Sequence, residues 1–247
     1  MRAKDLIVKP ISSQDAALLV KRVHYSGKVV PNSQLHFGVF LNDRLEGVLS
    51  FGASMDKRKT VALVSGTKFN DFLELNRMAF TDRLPRNSES RAISICLKII
   101  KKNYPNIEWI ISFADGTQCG DGTIYRASGF VLTAIKKNTT ILKLADGSVV
   151  ADKTLNNKVG VNGQSGSSIA KKNGAKPLDG YQFRYVYFLN KSARERLTVA
   201  EIPYKKIEET GASMYLGSKR VGSKDNVASG FQSGEGGAIP TPTLQNL

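Results

Sequence analysis

The hydrophobic pattern of the chain has a helical period in three segments. Apolar residues recur at helical spacing in residues 12–23, behind a serine N-cap, and again in residues 88–102. A shorter helical segment covers residues 122–130, with Gly129 as its C-cap. We therefore expect three helices, each separated from the next by residues of a different pattern.

Strand patterns fill the intervals between these helices. They comprise residues 5–10, a hairpin from His36 that turns at Asn42 and Asp43, the alternating segment 72–80, the continuous apolar run 107–114, and the later segments 130–144 and 181–189. The continuous run is typical of a central strand. The order of the elements predicts an α/β fold with a single mixed, mostly antiparallel sheet flanked by helices.

Two segments lack the apolar residues that a core requires. Residues 151–180 are rich in Gly, Asn, Ser and Lys, and we expect a long, flexible, basic insertion there. Residues 207–247 have a composition that cannot bury a core, and we expect an irregular C-terminal tail. The folded domain is therefore predicted to span residues 1–206.

The charge of the chain indicates the class of its partner. Lys and Arg total 36 against 21 Asp and Glu, so the formal net charge is +15. This excess favours polyanions, with nucleic acid first and an anionic membrane surface second; a generic basic surface is the alternative. The chain lacks both an apolar run long enough to cross a bilayer and a secretory signal. We expect a cytoplasmic protein without a membrane partner.

The two cysteines do not form a disulfide framework. Cys96 lies within a helical pattern and is expected to be a small buried hydrophobe. Cys119 lies in a glycine-rich loop, where a lone thiol is catalytic only in a minority of cases.

The start of the 88–102 helix is a candidate anion site. Amide groups in the first turn of a helix lack partners within the helix, and the helix dipole is positive there. Arginines and short polar residues crowd this end of the helix: Arg83, Arg86, Asn87, Ser88, Ser90 and Arg91. The spacing is neither a Walker loop nor a dinucleotide fingerprint. Two interpretations stay open, a phosphate site and an ordinary N-cap.

Four separated segments of the chain carry a resemblance to a known family: HYSGK (24–28), LELNRMAFTDRLPRNSESRAIS (73–94), SFADGTQCGDGTIYRASGF (112–130) and FRYVYFLNKSARERL (183–197). Together they resemble the phage Mom family of adenine-modification proteins, within the N-acetyltransferase (GNAT) superfamily. The resemblance implies a GNAT-like fold and conversion of adenine in phage DNA to N6-(carbamoylmethyl)adenine, which blocks host restriction enzymes. It also implies an acyl-CoA-type donor, although RLPRNSESR stands where acetyltransferases usually carry their glycine-rich pyrophosphate loop.

The resemblance also implies the catalytic residues. His24 and Tyr25 follow the first helix, Asp115 closes the apolar strand, and Tyr125 lies where many acetyltransferases carry the tyrosine that protonates the leaving thiolate. Asp115 is a candidate base, His24 an acid or base, and Tyr25 a proton donor or stacking surface. His24, Tyr25 and Asp115 also offer nitrogen and oxygen ligands suited to iron. The alternatives are a helix cap at His24, a turn at Asp115 and simple packing of Tyr125.

Double-stranded DNA is the expected partner. Asn76 and Arg77, on the alternating strand 72–80, are candidates to orient the substrate. Tyr25, Phe113 or Tyr125 could supply a platform for a flipped adenine. Five basic residues could neutralise phosphates: Lys158, Lys171, Lys172, Lys176 and Arg184. A solvated flexible loop is the alternative for the lysines.

Three functions follow as hypotheses. The first is a Mom-type DNA adenine modifier, and the second is an acyl-CoA-dependent N-acyltransferase that acts on a small amine or a protein. The third is a non-catalytic DNA-binding protein on the same fold. The sequence leaves the oligomeric state open, with a dimer among the alternatives.

Overall fold

The computed structural model describes residues 2–117, 120–156 and 165–211, together with the backbone of 214–215 and 218–219. The strands are β1 (Ile7–Pro10), β2 (Ser33–Leu41), β3 (Arg44–Gly52), β4 (Phe72–Phe80), β5 (Trp109–Asp115), β6 (Val131–Lys137), β7 (Ile141–Lys143), β8 (Val149–Ala151), β9 (Lys176–Pro177), β10 (Tyr181–Phe188), β11 (Met214–Tyr215) and β12 (Ser218–Lys219). The helices are α1 (Ser13–Val23), α2 (Lys57–Val61), α3 (Ser88–Asn103), α4 (Thr123–Ala127), α5 (Asp152–Asn156), α6 (Gly166–Lys172), α7 (Lys191–Glu195) and α8 (Lys205–Glu209). None of these described helices has the length and apolarity that a membrane crossing requires.

The main sheet has seven strands in the order β1-β2-β3-β4-β5-β10-β6. Its neighbouring strands are antiparallel except for β4 and β5, which are parallel and are connected along the chain through α3. The predicted mixed, mostly antiparallel main sheet is therefore confirmed, although the described residues also form two small separate sheets. The apolar run that was expected to be central forms β5, an interior strand paired on both sides.

The local signals for the first elements act as predicted. Ser12 caps α1, because its side chain accepts a hydrogen bond from the Asp15 amide. Asn42 and Asp43 both have positive φ, 49° and 59°, as the two central residues of a type I′ hairpin turn require. This turn joins β2 to β3 in the expected hairpin.

The helices cover both faces of the sheet. One face packs against α3, where Leu49 and Leu75 meet Ile93 in the main core. The other face packs against α1, which buries Val48 and Ala79. Successive strand residues point to opposite faces, so adjacent positions on β3 belong to different cores. Cys96 of α3 is fully buried, as predicted.

The parallel pair β4–β5 separates shortly after it forms. Its register runs only from Phe72 opposite Trp109 to Glu74 opposite Ile111. One step further, the Ser112 hydroxyl donates to the Leu75 carbonyl at 3.3 Å. A register shift between β3 and β4 leaves Asn76 as the extra residue of a β-bulge, which bends β4 at this point. We call the resulting opening between β4 and β5 the fork.

The insertion at residues 151–180, expected to be long, flexible and basic, contains regular elements in its described part. It comprises α5, α6 and β9, and β9 joins β7 and β8 in a separate three-stranded sheet. Asn138 turns the chain away from the main sheet, since its side-chain amide donates to the carbonyls of Ile141 and Leu178. The Ser167 amide donates to the Asn156 side chain and links the two helices. Contacts between segments therefore supply order that composition does not reveal.

The folded part also continues beyond residue 206. Helix α8 spans Lys205–Glu209, and Ile207 is fully buried in the main core. A single apolar residue in a polar segment is a weak signal in sequence, so the expected tail began too early. The irregular tail itself remains a prediction.

Candidate active site

A cavity of about 950 Å³ occupies the fork. β4 contributes residues 75–80 to its lining, and β5 contributes residues 113–115. The first turn of α3 and the helix α4 line it from one face of the sheet, and the end of α1 lines it from the other. The cavity therefore connects the two faces at the point where the sheet opens.

His24 is the C-cap residue of α1 and lines this cavity. Its Nδ1 accepts a hydrogen bond from the Ser26 amide at 3.1 Å and lies 2.8 Å from the Ser26 hydroxyl. Burial and the nearby Arg77 charge lower the pKa of His24 to about 4. The ring is therefore neutral near pH 7, and its proton lies on Nε2. The imidazole bonds to Ser26 instead of capping the carbonyls of α1.

Two exposed aromatic rings lie at the cavity. The Tyr25 ring is 58% exposed, and its centroid lies 4.3 Å from that of His24. Phe113 of β5 is 48% exposed. Large aromatic side chains are costly to leave in water, so both rings offer apolar surface to a planar ligand.

Asp115 lies at the end of β5 and lines the cavity. Its Oδ1 accepts hydrogen bonds from the Thr117 amide at 3.0 Å and the Thr117 hydroxyl at 2.6 Å. The residue therefore forms a turn, as one alternative proposed. None of the hydrogen bonds within the described residues uses Oδ2, which leaves one carboxylate oxygen for a ligand.

Tyr125 of α4 is both packed and part of the cavity lining. Its ring lies 5.4 Å from that of Phe130 and 5.2 Å from that of Tyr185. The packing expected as its alternative role is present. It fixes the position of the ring beside the fork.

The iron hypothesis does not fit these residues. Across the described residues, no group of three or more His, Cys, Asp and Glu side chains is arranged to hold a metal ion. His24 already uses Nδ1 to accept from Ser26, and its Nε2 carries the proton. Asp115 uses one oxygen for Thr117. The predicted iron site is therefore not supported.

The start of α3 places part of the predicted anion set in the cavity. Arg86, Asn87 and Ser90 line it, together with Glu89. Asn87 is the N-cap residue, but it adopts a left-handed conformation, with φ of 68°, and its side chain makes no capping bond. First-turn amides and these side chains suit an anionic ligand, whereas the Glu89 carboxylate opposes it.

The other three residues of the predicted anion set make structural contacts within the protein. The Arg83 guanidinium pairs with buried Glu46 at 3.3 Å. Ser88 is fully buried and donates to the Pro85 carbonyl. Arg91 donates to the Lys4 carbonyl at 3.3 Å. Arg83, Ser88 and Arg91 are absent from the cavity lining formed by described residues, and their assignment to the cofactor stays a prediction.

Asn76 and Arg77 secure the segment after α1 to the fork. The Asn76 Oδ1 accepts from the Ser33 hydroxyl at 3.1 Å. The Arg77 Nε donates to the Lys28 carbonyl at 2.8 Å. Both residues line the cavity, and their predicted role in orienting the substrate stays a prediction.

The candidate phosphate contacts lie in different environments. Arg184 is half-buried on β10 and donates from Nε to the Thr133 hydroxyl at 2.9 Å, which is a structural contact between strands. Lys171 and Lys172 lie in the last turn of α6, not in a loop. Lys176 begins β9. Lys158 and Cys119 lie outside the described residues.

Asp121 belongs to the cavity lining but did not stand out in the sequence. It is only 2% exposed and pairs with Arg126 at 3.0 Å. Its Oδ1 accepts from the Thr123 amide and hydroxyl, as Asp115 accepts from Thr117. The repeated Asp-Gly-Thr triplet is a signal that could have identified it.

Comparisons with known proteins support the resemblance seen in the sequence. Residues 5–206 match the Mom protein family. The chain is 41% identical over 197 residues to methylcarbamoylase Mom of Escherichia phage Mu, which covers 79% of this chain and 80% of that protein.

Similar solved structures include two N-acetyltransferases. The ribosomal-protein-S18-alanine N-acetyltransferase of Escherichia coli is 10% identical, with a TM-score of 0.44 over 75% of this chain and 94% of that chain. A Bacillus subtilis acetyltransferase in complex with CoA is 12% identical, with a TM-score of 0.43 over 74% and 98%. The family match, which spans most of the chain, and the relative from phage Mu together show that this chain belongs to the Mom protein family.

Proposed function

We propose that this chain transfers a carbamoylmethyl group to N6 of adenine in DNA and so protects the DNA from host restriction. The observation that carries the proposal is the cavity through the fork. It brings an anion-suited helix start to the same space as His24, Tyr25 and Asp115. Membership of the Mom family, and the name of the relative from phage Mu, support this chemistry.

Asp115 is the group that we assign to the proton on N6. In the transfer, a bond forms between N6 and the methylene carbon of the donor. The bond from that carbon to its leaving group breaks, and the leaving group keeps the electron pair. N6 loses one proton, which we assign to Oδ2 of Asp115, since the hydrogen bonds from Thr117 use Oδ1. An exocyclic amine is a weak nucleophile, so a positioned base accelerates this step by about 100-fold or more.

His24 and the two exposed rings would hold the base. A neutral imidazole with its proton on Nε2 donates a hydrogen bond, so His24 can orient a ring nitrogen of adenine or assist the leaving group. Tyr25 and Phe113 offer surfaces on which a flipped base can stack.

An acyl-CoA-type donor fits the other side of the cavity. Arg86, Asn87, Ser90 and the first-turn amides of α3 would hold its phosphates. Beyond Leu75, the described residues of β4 have no partner in the pairing register with β5, so backbone groups on that edge can pair with an extended ligand. For the transfer proposed here, the leaving group, for example the coenzyme A sulfur, would have to be bonded to the methylene carbon of the donor, because a thioester would place an acyl group on N6.

Nucleoside mass spectrometry of plasmid DNA tests the proposal. Cells expressing the wild-type chain should yield a modified deoxyadenosine, and Asp115→Asn should lower its amount by about 100-fold or more. Asparagine keeps an oxygen for Thr117, so the turn and the unfolding temperature should be retained. Fragmentation spectra should identify a carbamoylmethyl group and exclude its glycyl isomer, which acyl transfer from a glycyl thioester would give.

Two outcomes would contradict this proposal. Full modification by Asp115→Asn would remove the aspartate from the chemistry. Unmodified DNA from wild-type cells would favour an acyltransferase for small amines or proteins, or a non-catalytic DNA-binding protein.

A further inference from the structure

A second cavity, of about 340 Å³, lies beside the fork on the face of the sheet that packs against α1. Its floor is a row of polar side chains on three adjacent strands, since His36 pairs with Ser50 and Ser50 pairs with Arg77. Its walls are mostly apolar and come from α1 and from the segment after it: Ala17, Val20, Val29, Val30 and Pro31.

The floor offers hydrogen bonds without an anionic group. The His36 Nδ1 lies 2.9 Å from the hydroxyl of Ser50, which is only 3% exposed. Burial lowers the pKa of His36, so its ring is neutral near pH 7 and has one donor and one acceptor nitrogen, of which Nδ1 is engaged with Ser50. Gln14 adds an amide at the wall. Apolar walls around a few convergent polar groups suit a planar heterocycle with a polar edge.

The second cavity adjoins the proposed active site directly. Arg77 lines both cavities. Ser33, from the second cavity, donates a hydrogen bond to Asn76, from the first, at 3.1 Å. The start of α3, where the donor phosphates are proposed to bind, lies on the opposite face of the sheet. A heterocycle bound in the second cavity would therefore belong to the acceptor DNA and not to the donor.

We propose that the second cavity binds a nucleobase adjacent to the target adenine and thereby determines the sequence context of modification. This inference rests on the proposed function. Enzymes that act on a flipped base select their context through contacts with the flanking nucleotides. The row of His36, Ser50 and Arg77 supplies contacts that can discriminate between base edges.

Filling the cavity tests this assignment. Ala17→Phe adds a ring from the α1 wall, and Val30→Phe adds one from the opposite wall. Leu18→Phe is the matched control, because Leu18 lies on the same helix and is 63% exposed. Thermal unfolding of all three variants shows whether each is folded, and either filling variant is sufficient for the test.

The first measurement is the sequence distribution of modified adenines in plasmid DNA. Ala17→Phe and Val30→Phe should change the preference at one neighbouring position by roughly tenfold, whereas Leu18→Phe should keep the wild-type distribution. A wild-type distribution in the folded filling variants would overturn the inference, even if their total modification falls.

The second measurement does not depend on catalysis. A DNA duplex carries 2-aminopurine next to the target adenine, and its fluorescence rises when the base leaves the stack. Binding should raise the fluorescence with the wild-type chain and Leu18→Phe, but not with the filling variants. A rise without any DNA modification would support the cavity while contradicting the proposed function. Modification without any such rise in the wild type would overturn the cavity assignment alone.

Discussion

His24 shows how its surroundings fix the role of one residue. Its ordinary pKa of 6.5 would let it exchange a proton near pH 7, but burial and Arg77 lower the pKa to about 4. Its Nδ1 is held by the Ser26 amide, so the ring acts as a donor through Nε2. We therefore assign proton acceptance to Asp115 and orientation to His24.

The lowered pKa also makes a stability prediction. Between pH 6.5 and about 4, the unfolded chain binds a proton at His24 that the folded chain does not, so stability is lost as the pH falls through this window. His24→Asn removes this titration and keeps an oxygen that can accept from the Ser26 amide. Urea denaturation should show a steeper loss in the wild type than in His24→Asn. His36 is present in both chains, so parallel curves would contradict the assigned pKa.

At the residue scale, the predicted catalytic residues all line the same cavity, whereas only part of the predicted anion-site set does so. His24, Tyr25, Asp115 and Tyr125 all line the fork. Residues 83–91 divide between the cavity and the fold, because successive residues around a turn and a helix point in different directions. Sequence places such residues near one another but does not show which of them share a side.

The start of α3 shows what one element contributes to the site. Asn87 adopts a left-handed conformation that costs most L residues about 1–2 kcal/mol. The side chain of Asn87 makes no capping bond, so its contribution to the fold is the backbone conformation that leads the chain into the helix. Asn87 also lines the cavity, where its side-chain amide is a candidate contact for the donor. Substitution at this position can separate the effect of the backbone conformation from the effect of the side-chain amide.

Glycine and alanine at position 87 make that separation. Asn87→Gly should nearly retain the free energy of unfolding, whereas Asn87→Ala should lower it by about 1 kcal/mol, because alanine is strained at positive φ. Both variants lack the amide, so both should weaken coenzyme A binding in calorimetry to a similar extent. Equal stability of the two variants would contradict the strain. Unchanged coenzyme A affinity would remove the amide from the donor site.

Long elements were predictable from sequence, whereas among the short helices α4 was predicted and α5 and α6 were not. α1, α3, β4 and the β2–β3 hairpin carry periodic patterns and turn residues over many positions. α5 and α6 are five and seven residues long and depend on contacts such as that between Ser167 and Asn156. The fork was also hidden, because it depends on where a pairing between distant strands stops.

At the scale of the whole molecule, the net charge of +15 remains the sequence feature most relevant to DNA. Binding of double-stranded DNA follows from the proposed function. Phosphate contacts would make its affinity fall as the salt concentration rises, because releasing condensed counterions from the DNA is then less favourable. The lysines of α6, together with the exposed Lys176 of β9, remain the candidates for these contacts on the described part of the chain.

Salt titration measures those contacts. Replacing Lys171 and Lys172 by glutamine should reduce the slope of log affinity against log salt concentration by about 2, one unit for each lost phosphate contact. The matched control replaces Lys98 and Lys101, exposed lysines on α3, and should leave the slope unchanged. Fluorescence anisotropy of a labelled duplex gives both slopes. Equal slopes in the two variants would exclude α6 from the interface.

Arg77 lines both cavities, so the two binding events cannot be energetically independent if either of them moves its guanidinium. Thermodynamic linkage then requires reciprocity: a neighbouring base that strengthens binding in the fork by some factor is itself held more tightly, by the same factor, once the fork is filled. Context selectivity and target affinity would be two expressions of one coupling free energy.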